Sequence, residues 1–467
     1  MKDPISSKDG FYIGVTCPGC GGGLEIQSDF FVLNCCHCGS NLRINMPETP
    51  PAYFIRSEKP LREVRFHLDR YLKQHAGPLS GAGLTAIAVY YPYWKIDAVV
   101  LKVRNETIER VTSDEYDYEN IKTYEQKMTD IRLTPYSVTQ AAGPSIDYIP
   151  PSIGIRSQYS KILPYSVEKL EEGFSSLPLL KSWHMVKNDL DRSIAAIASV
   201  AQPQFGKNRT ELFHPSGSII YFPYYILDTN SGREGGRFIS DGVTGKVISQ
   251  IDKEIDHDQL RNLPPGNMEF GRLSVEFHRC LNCGVDLPDR QSHIYICDNC
   301  GQLITPGKRQ QGLKKICYIG SGEAQDRMFP FWALKLNKSD AQRMRKFFGG
   351  IYASDTLAIP AFKIPNFEAM FRLAKRISSA MPKLELMQLE RQGKNFADVT
   401  LSLENALAMA EVILYREYIK RAEGAGKFDG SLKPDEISLF YAPFRKEHYF
   451  FVDTVLGAVT FEKSLAL

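Results

Sequence analysis

The chain has 467 residues, of which 11% are aromatic and 24% charged, and its formal net charge is +3. That length supports two to four domains, each able to bury its own core. The composition excludes extended disorder, and so small a net charge excludes a chain that is basic throughout.

The N-terminal stretch MKDPISSKDG lacks the apolar core of a signal peptide. The first motif follows it. In CPGCGGGLEIQSDFFVLNCCHCG, Cys17 and Cys20 form one C-x-x-C pair and Cys35 and Cys38 another, with 14 residues between the pairs. A two-residue gap lets both sulfurs turn toward one ion, and four thiolates complete a tetrahedral site. Gly21 and Gly39 follow the second Cys of each pair. There a positive φ makes a tight turn, which can aim backbone N–H groups at sulfur. Cys36 and His37 crowd the second pair, and Cys36 is expected to point away from the ion.

Next come a short strand, Tyr53 to Arg56, and a helix with Ser57 as its expected N-cap. Leu61, Val64, Leu68 and Leu72 lie along one face of that helix. The most apolar segment, GLTAIAVYYPYWKIDAVVL, carries Lys95 and Asp97 and reads as a strand, not a membrane span. A helix follows in NDLDRSIAAIASVAQ, with Asn188 as its expected cap. IIYFPYYILDTNSGREGGRFISDGVTGKVIS reads as a strand pair turning around Asp241, Gly242 and Gly245. The spacing of Gly242, Gly245 and Lys246 is too short for a phosphate-binding P-loop.

The cysteine pattern then returns. CLNCGVDLPDRQSHIYICDNCG places the pair Cys280 and Cys283 ahead of the pair Cys297 and Cys300 with 13 residues between them, and Gly284 and Gly301 in the same relative places. Apolar runs, Phe30 to Leu33 and Ile294 to Ile296, lead into the second pair of each unit. This is the layout of a zinc ribbon: two knuckles joined by a hairpin. Zinc is the expected ion at both sites, and iron in a rubredoxin-like site is the alternative. From Thr305 to Lys346 ten basic residues meet three acidic ones. Lys308, Arg309, Lys314 and Lys315 there are the candidate phosphate contacts.

After this ribbon, strand Phe331 to Leu336 leads into a helix expected to be capped by Ser339 and to end near Gly349. SLENALAMAEVILYREYIKRAEG reads as another helix, capped by Ser402. ISLFYAPFRKEHYFFVDTVLGAVTFEK reads as a closing strand pair. Four Pro residues sit among aromatics in strand-like surroundings: Pro92, Pro223, Pro330 and Pro443. Proline donates no ladder bond, so an edge, a strand start or a bulge is expected at each.

The order ribbon, strand, helix, Pro-aromatic strands and closing hairpin occurs twice. The expected fold is therefore α+β and multidomain, built by tandem duplication. It comprises ribbon 1 over residues 1–47 and a first module over 48–270, with an insertion near 104–213. Ribbon 2 covers 271–305 and a second module 306–467. The ribbon opening CPGCGGGLEI, the strand YFIR, the Pro-aromatic strands YYPYW and LFYAPF and the ending VDTVLGAVTF resemble bacterial zinc-ribbon proteins of uncharacterised function, some labelled TFIIB-type or primosomal-like. The resemblance implies bound zinc at the eight paired cysteines and a cytosolic location, and brings no activity with it.

No nucleophile, base and oxyanion set is recognisable, and a four-cysteine site leaves no coordination position open for catalysis. His278 and His293 lie beside or within ribbon 2 without a place at its ion. The leading expectation is a non-catalytic scaffold or adaptor in the cytoplasm. It would hold two zinc ions and bind another protein through its β modules and ribbons. Nucleic-acid binding through ribbon 2 and its basic flank is the alternative, and rubredoxin-like electron transfer the second alternative. Cys36 and Cys317 are expected to be unpaired thiols.

Overall fold

The structure is a computed structural model. It describes residues 12–27, 32–45, 47, 49–75, 84–114, 117–146, 149–154, 160–200, 209–229, 236–251, 269–305, 313–320, 323, 325–348, 354–364, 367–389, 395–421, 432–448, 450–455 and 458–462. Two compact units divide the chain: residues 1–101, 134–204 and 209–276 form one, and residues 102–133, 205–208 and 277–467 the other. Among the described residues are five α-helices and many strands, an α+β chain.

In the first unit, β1 (Tyr12–Thr16) and β2 (Gly23–Gln27) form a hairpin, and β3 (Val32–Asn34) and β4 (Asn41–Asn45) a second. Then follow β5 (Ala52–Ile55), α1 (Leu61–His75), β6 (Leu84–Asp114) and β7 (Asp117–Ala141); of the last two strands, the part between residues 102 and 133 belongs to the other unit. β8 (Ile162–Pro164), β9 (Phe174–Ser176), α2 (Trp183–Val200), β10 (Arg209–Thr229), β11 (Arg237–Asp241), β12 (Val247–Ile251) and β13 (Ser274–Phe277) complete the series. The main sheet runs β12-β11-β10-β5-β8-β1-β2, and β6 adds to β10, β7 and β9. β13 joins the second ribbon hairpin in the order β13-β4-β3.

The second unit holds β14 (Tyr295–Ile296), β15 (Leu303–Ile304), β16 (Leu313–Ile319), β17 (Arg327–Leu336), α3 (Lys338–Phe348), β18 (Thr356–Pro360) and α4 (Phe367–Ala380). β19 (Leu386–Gln388), α5 (Leu403–Arg421), β20 (Pro434–Glu447), β21 (Phe450–Asp453) and β22 (Ala458–Glu462) follow. Its main sheet runs β18-β17-β20-β16-β19, with β21 and β22 continuing from β20. Strand alternation sorts the core onto two faces. Trp332, Leu334 and Tyr441 meet Ala406, Ala410 and Ile413 of α5 on one face. Phe329, Phe331, Phe440 and Phe444 meet Leu373 and Ile377 of α4 on the other.

The four prolines lie inside the sheets, not at their margins, and their aromatic neighbours are buried. Three of them sit where one edge of the strand changes partner, and Pro92 sits just past the end of one pairing. On β10, β5 runs parallel along Ile219–Tyr221 and β11 pairs Tyr224–Asp228, so Pro223 falls in the gap. On β20, β16 pairs up to Tyr441 and β21 begins at Phe444, with Pro443 between them. Pro330 lies between a parallel bridge at Met328 and the pairing with β18 that begins at Phe331. Pro92 follows the parallel pairing of Val89 and Tyr90 with β9. A strand position between two partners needs no N–H, so proline costs no ladder bond there.

A shared hydrogen-bond relay surrounds these positions. The carbonyls of Pro92, Pro223, Pro330 and Pro443 accept the N–H groups of Ala142, Gly242, Ala361 and Thr454, the residues just past the neighbouring hairpin strand. In turn, the carbonyls of Ala142, Gly242 and Ala361 accept N–H groups from Leu180 and Lys181, Glu58 and Lys59, and Leu401. Two residues after each of three prolines, a side chain donates to the carbonyl two residues before a helix. Trp94 Nε1 donates to Lys181 O at 2.8 Å, Trp332 Nε1 to Leu401 O at 3.0 Å, and the Tyr225 hydroxyl to Lys59 O at 3.0 Å. The fourth position is Arg445, which pairs with Asp326 and Glu323 instead.

Several expected details differ. Ser57 does not cap α1; its hydroxyl binds Gly242 O, and Glu63 N–H bonds to Pro60 O at the helix start. Val64, Leu68 and Leu72 are buried, whereas Leu61 is exposed. Asn188 lies within α2, where the Ser182 hydroxyl accepts Met185 N–H. Asn337, not Ser339, caps α3 through Asp340 N–H, and Gly349 lies outside the described residues. Ser402 caps α5 as expected, accepting Asn405 N–H. The expected match of strand 53–56 and its helix with strand 331–336 and its helix also differs. β5 runs parallel to β10 as β16 runs parallel to β20. Pattern alone could not separate these strands, because partner choice is a tertiary property.

Candidate metal centres

All four knuckles share one backbone. In each, the first Cys donates its N–H to the carbonyl five residues on, and the Gly four residues on donates back to that Cys carbonyl. Gly21, Gly39, Gly284 and Gly301 have φ of 72°, 73°, 75° and 70°. A Cβ is strained in that region, so the glycines are required by the turn itself. Their N–H groups reach carbonyls rather than sulfurs; Gly19 N–H approaches Cys17 Sγ at 3.4 Å.

These turns bring the thiols together. Cys17 and Cys38 sulfurs are 3.7 Å apart and those of Cys20 and Cys35 3.8 Å. In the second unit Cys280 and Cys300 are 3.6 Å apart and Cys283 and Cys297 3.5 Å. Within each group all four sulfurs lie within 4.8 Å of one another. Metal–sulfur bonds of ~2.3 Å place tetrahedral sulfurs about 3.8 Å apart, so both groups have the size of a four-coordinate ion. Each group could hold a metal ion, and none of these cysteines is disulfide-bonded. The Ser40 hydroxyl lowers the Cys38 thiol to about 6; in the second group the Asn299 side chain lowers Cys283 to about 6, and the Asn282 side chain lowers Cys300 as well.

Cys36 and His37 stand outside the first group. Cys36 is exposed, and His37 Nε2 lies 3.1 Å from Gly23 O. A Cβ at Gly22 would meet the His37 ring at 2.4 Å, so that glycine makes room for the imidazole. His278 is fully buried against Tyr295, with ring centroids 4.7 Å apart, and stands outside the second group.

Neither ribbon hangs free of its unit. Arg43, buried on β4, bonds Glu276 on β13 at 2.9 Å and holds its carboxyl below the usual range. The buried Ser292 hydroxyl donates to Ile294 O at 2.6 Å and accepts Val399 N–H at 3.1 Å. His293 N–H reaches Val399 O at 2.8 Å, and Ile294 and Ile296 belong to the core around Trp332. Sequence reading missed Ser292 and Val399 as the attachment of ribbon 2. Its one signal was a small polar residue opening an apolar run.

The basic flank is only partly described. Lys308 and Arg309 lie outside the described residues, Lys314 falls within β16, and Lys315 is exposed there. Cys317, also on β16, is buried. No helix among the described residues is long and apolar enough to cross a membrane. A groove of about 1270 Å³ opens in the first unit, with Tyr53, Phe54, Tyr165 and Phe270 among its walls and Lys169 and Arg272 also lining it. The chain matches no protein-family model, no curated protein and no solved structure.

Proposed function

We propose that this chain is a non-catalytic, zinc-stabilised scaffold or adaptor that binds another protein. One ion is held by Cys17, Cys20, Cys35 and Cys38, and a second by Cys280, Cys283, Cys297 and Cys300. The sulfur spacing of two closed tetrahedra carries this reading. Four thiolates saturate zinc and leave no position for substrate or water, so the ions serve shape. Thiolate sites of this kind suit the reducing cytoplasm. The repeated proline relay supports an origin by tandem duplication, with the distal part of β6 and β7 added in the first half. The aromatic groove of the first unit offers a concave surface of the size a partner segment fills.

The test is metal analysis of protein purified without added metal, with a visible spectrum of the same sample. Two zinc ions and no colour are expected; iron with thiolate charge-transfer absorption would move the reading to electron transfer. A tagged chain should then enrich one discrete partner that Phe270→Asp fails to hold. Enrichment equal in both proteins would remove the groove from the reading.

A further inference from the structure

The second unit passes from β16 to β17 through the short segment 320–326, whereas the first unit inserts the whole of α1 between β5 and β6. The sheet framework therefore closes without such a helix, and the outward face of α1 is an addition particular to one half. That face has a distinct chemistry. Val64, Leu68 and Leu72 make the buried stripe. At 100° per residue, Phe66 projects about 160° around the helix from its centre. Phe66 is 58% exposed. Arg62 and Arg70 flank it one turn before and after, and Lys73 lies one turn further on.

Arg62, Arg65 and Arg70 are exposed and form no ion pair among the described residues. The two acidic side chains of the helix are already engaged, Glu63 with Lys59 at 2.9 Å and Asp69 with Lys73 at 2.7 Å. Three cations remain for an anionic partner. The Arg70 guanidinium lies over the Phe66 ring, 5.3 Å from its centroid, so a stack has already begun on one side of the phenyl. The turn carrying Lys246 adjoins the helix, since a Cβ at Gly245 would meet His67 at 3.0 Å.

We propose that this face of α1 binds single-stranded nucleic acid, with Arg62 and Arg70 on phosphates and Phe66 stacking on a base. Cations interleaved with an exposed aromatic ring are the two parts such binding needs, and neither part reads sequence. An anionic bilayer would demand a wider apolar face than one phenyl ring, because Leu61 lies well round the helix from Phe66. An acidic polypeptide would use the arginines but not the ring face.

The test uses the zinc-loaded full chain and a fluorescent oligouridylate of about 20 nucleotides, titrated by anisotropy across a salt series. Binding should fall linearly with log salt. Arg62→Glu with Arg70→Glu should weaken it at least tenfold and reduce the salt slope by about 1.4, since each phosphate contact contributes ~0.7 for single strands. Phe66→Ala should weaken it about tenfold and leave the slope unchanged, as loss of stacking does. Arg62→Gln with Arg70→Gln, which adds no repulsion, should weaken binding in the same direction. Reversing Lys314 and Lys315 should leave it intact. Absence of binding at low salt, or equal binding by all variants, overturns the proposal. So does equal affinity for polyglutamate, or a preference for phosphatidylserine vesicles that Phe66→Ala abolishes.

Discussion

Trp94→Phe and Trp332→Phe probe the proline relay directly. Each indole is fully buried and donates to a carbonyl two residues ahead of a helix, Lys181 O for α2 and Leu401 O for α5. Phenylalanine keeps a ring but removes the donor, leaving a partly buried carbonyl without its bond. That costs about 1–3 kcal/mol. The smaller ring also leaves a void, which adds about 1 kcal/mol. Each substitution should therefore destabilise its own unit by about 2–4 kcal/mol, a large share of a typical ~5–15 kcal/mol. Urea unfolding gives the magnitude, and hydrogen exchange followed by mass spectrometry gives the place. Trp94→Phe should accelerate exchange across residues 183–200 and leave 403–421 as before; Trp332→Phe should do the reverse. A cost below about 0.5 kcal/mol, or faster exchange in the wrong helix, would refute the relay as the anchor of these helices.

Ser292→Ala should destabilise the second unit by about 2–3 kcal/mol, because Val399 N–H and Ile294 O both lose a buried partner; urea midpoints with and without the substitution measure it. Cys280→Ser should halve the metal content and loosen the core around Trp332 as well as the ribbon, since Ile294 and Ile296 pack there; tryptophan emission of Trp94→Phe/Trp183→Phe protein, which retains only Trp332, reports this. Burial, with Lys363 nearby, depresses His293 to about 4 from 6.5. Its folded pKa lies below its unfolded value, so the unfolded chain binds the proton first and stability falls as pH drops from about 6.5 toward 4. The loss is at most ~3 kcal/mol, and His293→Leu should flatten it in denaturation series at fixed excess zinc. Gly284→Ala should cost about 1–2 kcal/mol at φ 75°, read as weaker metal retention against a chelator.

What the sequence determined by itself was local chemistry. Two-residue gaps between cysteines, with glycine after each pair, confine the sulfurs to one side of a tight turn, so both four-cysteine groups were legible from spacing. Ser402 was legible as a cap because its partner lies three residues on. The buried stripe of Val64, Leu68 and Leu72 followed from helical period. Tertiary structure decided the rest. The prolines read as edge, strand-start or bulge residues, yet they occupy interior strands near points where a neighbour ends or changes, and no local pattern marks which strand ends where. Ser57 looked like a helix cap, but its hydroxyl goes to Gly242, 185 residues away in sequence. Likewise, β5 reads like the strand at 331–336, yet it pairs parallel to β10, and that pairing depends on contacts across more than 160 residues. A turn or a cap closes over a few bonds and is written in adjacent residues. A sheet edge is shared among strands that meet only when the whole unit has folded.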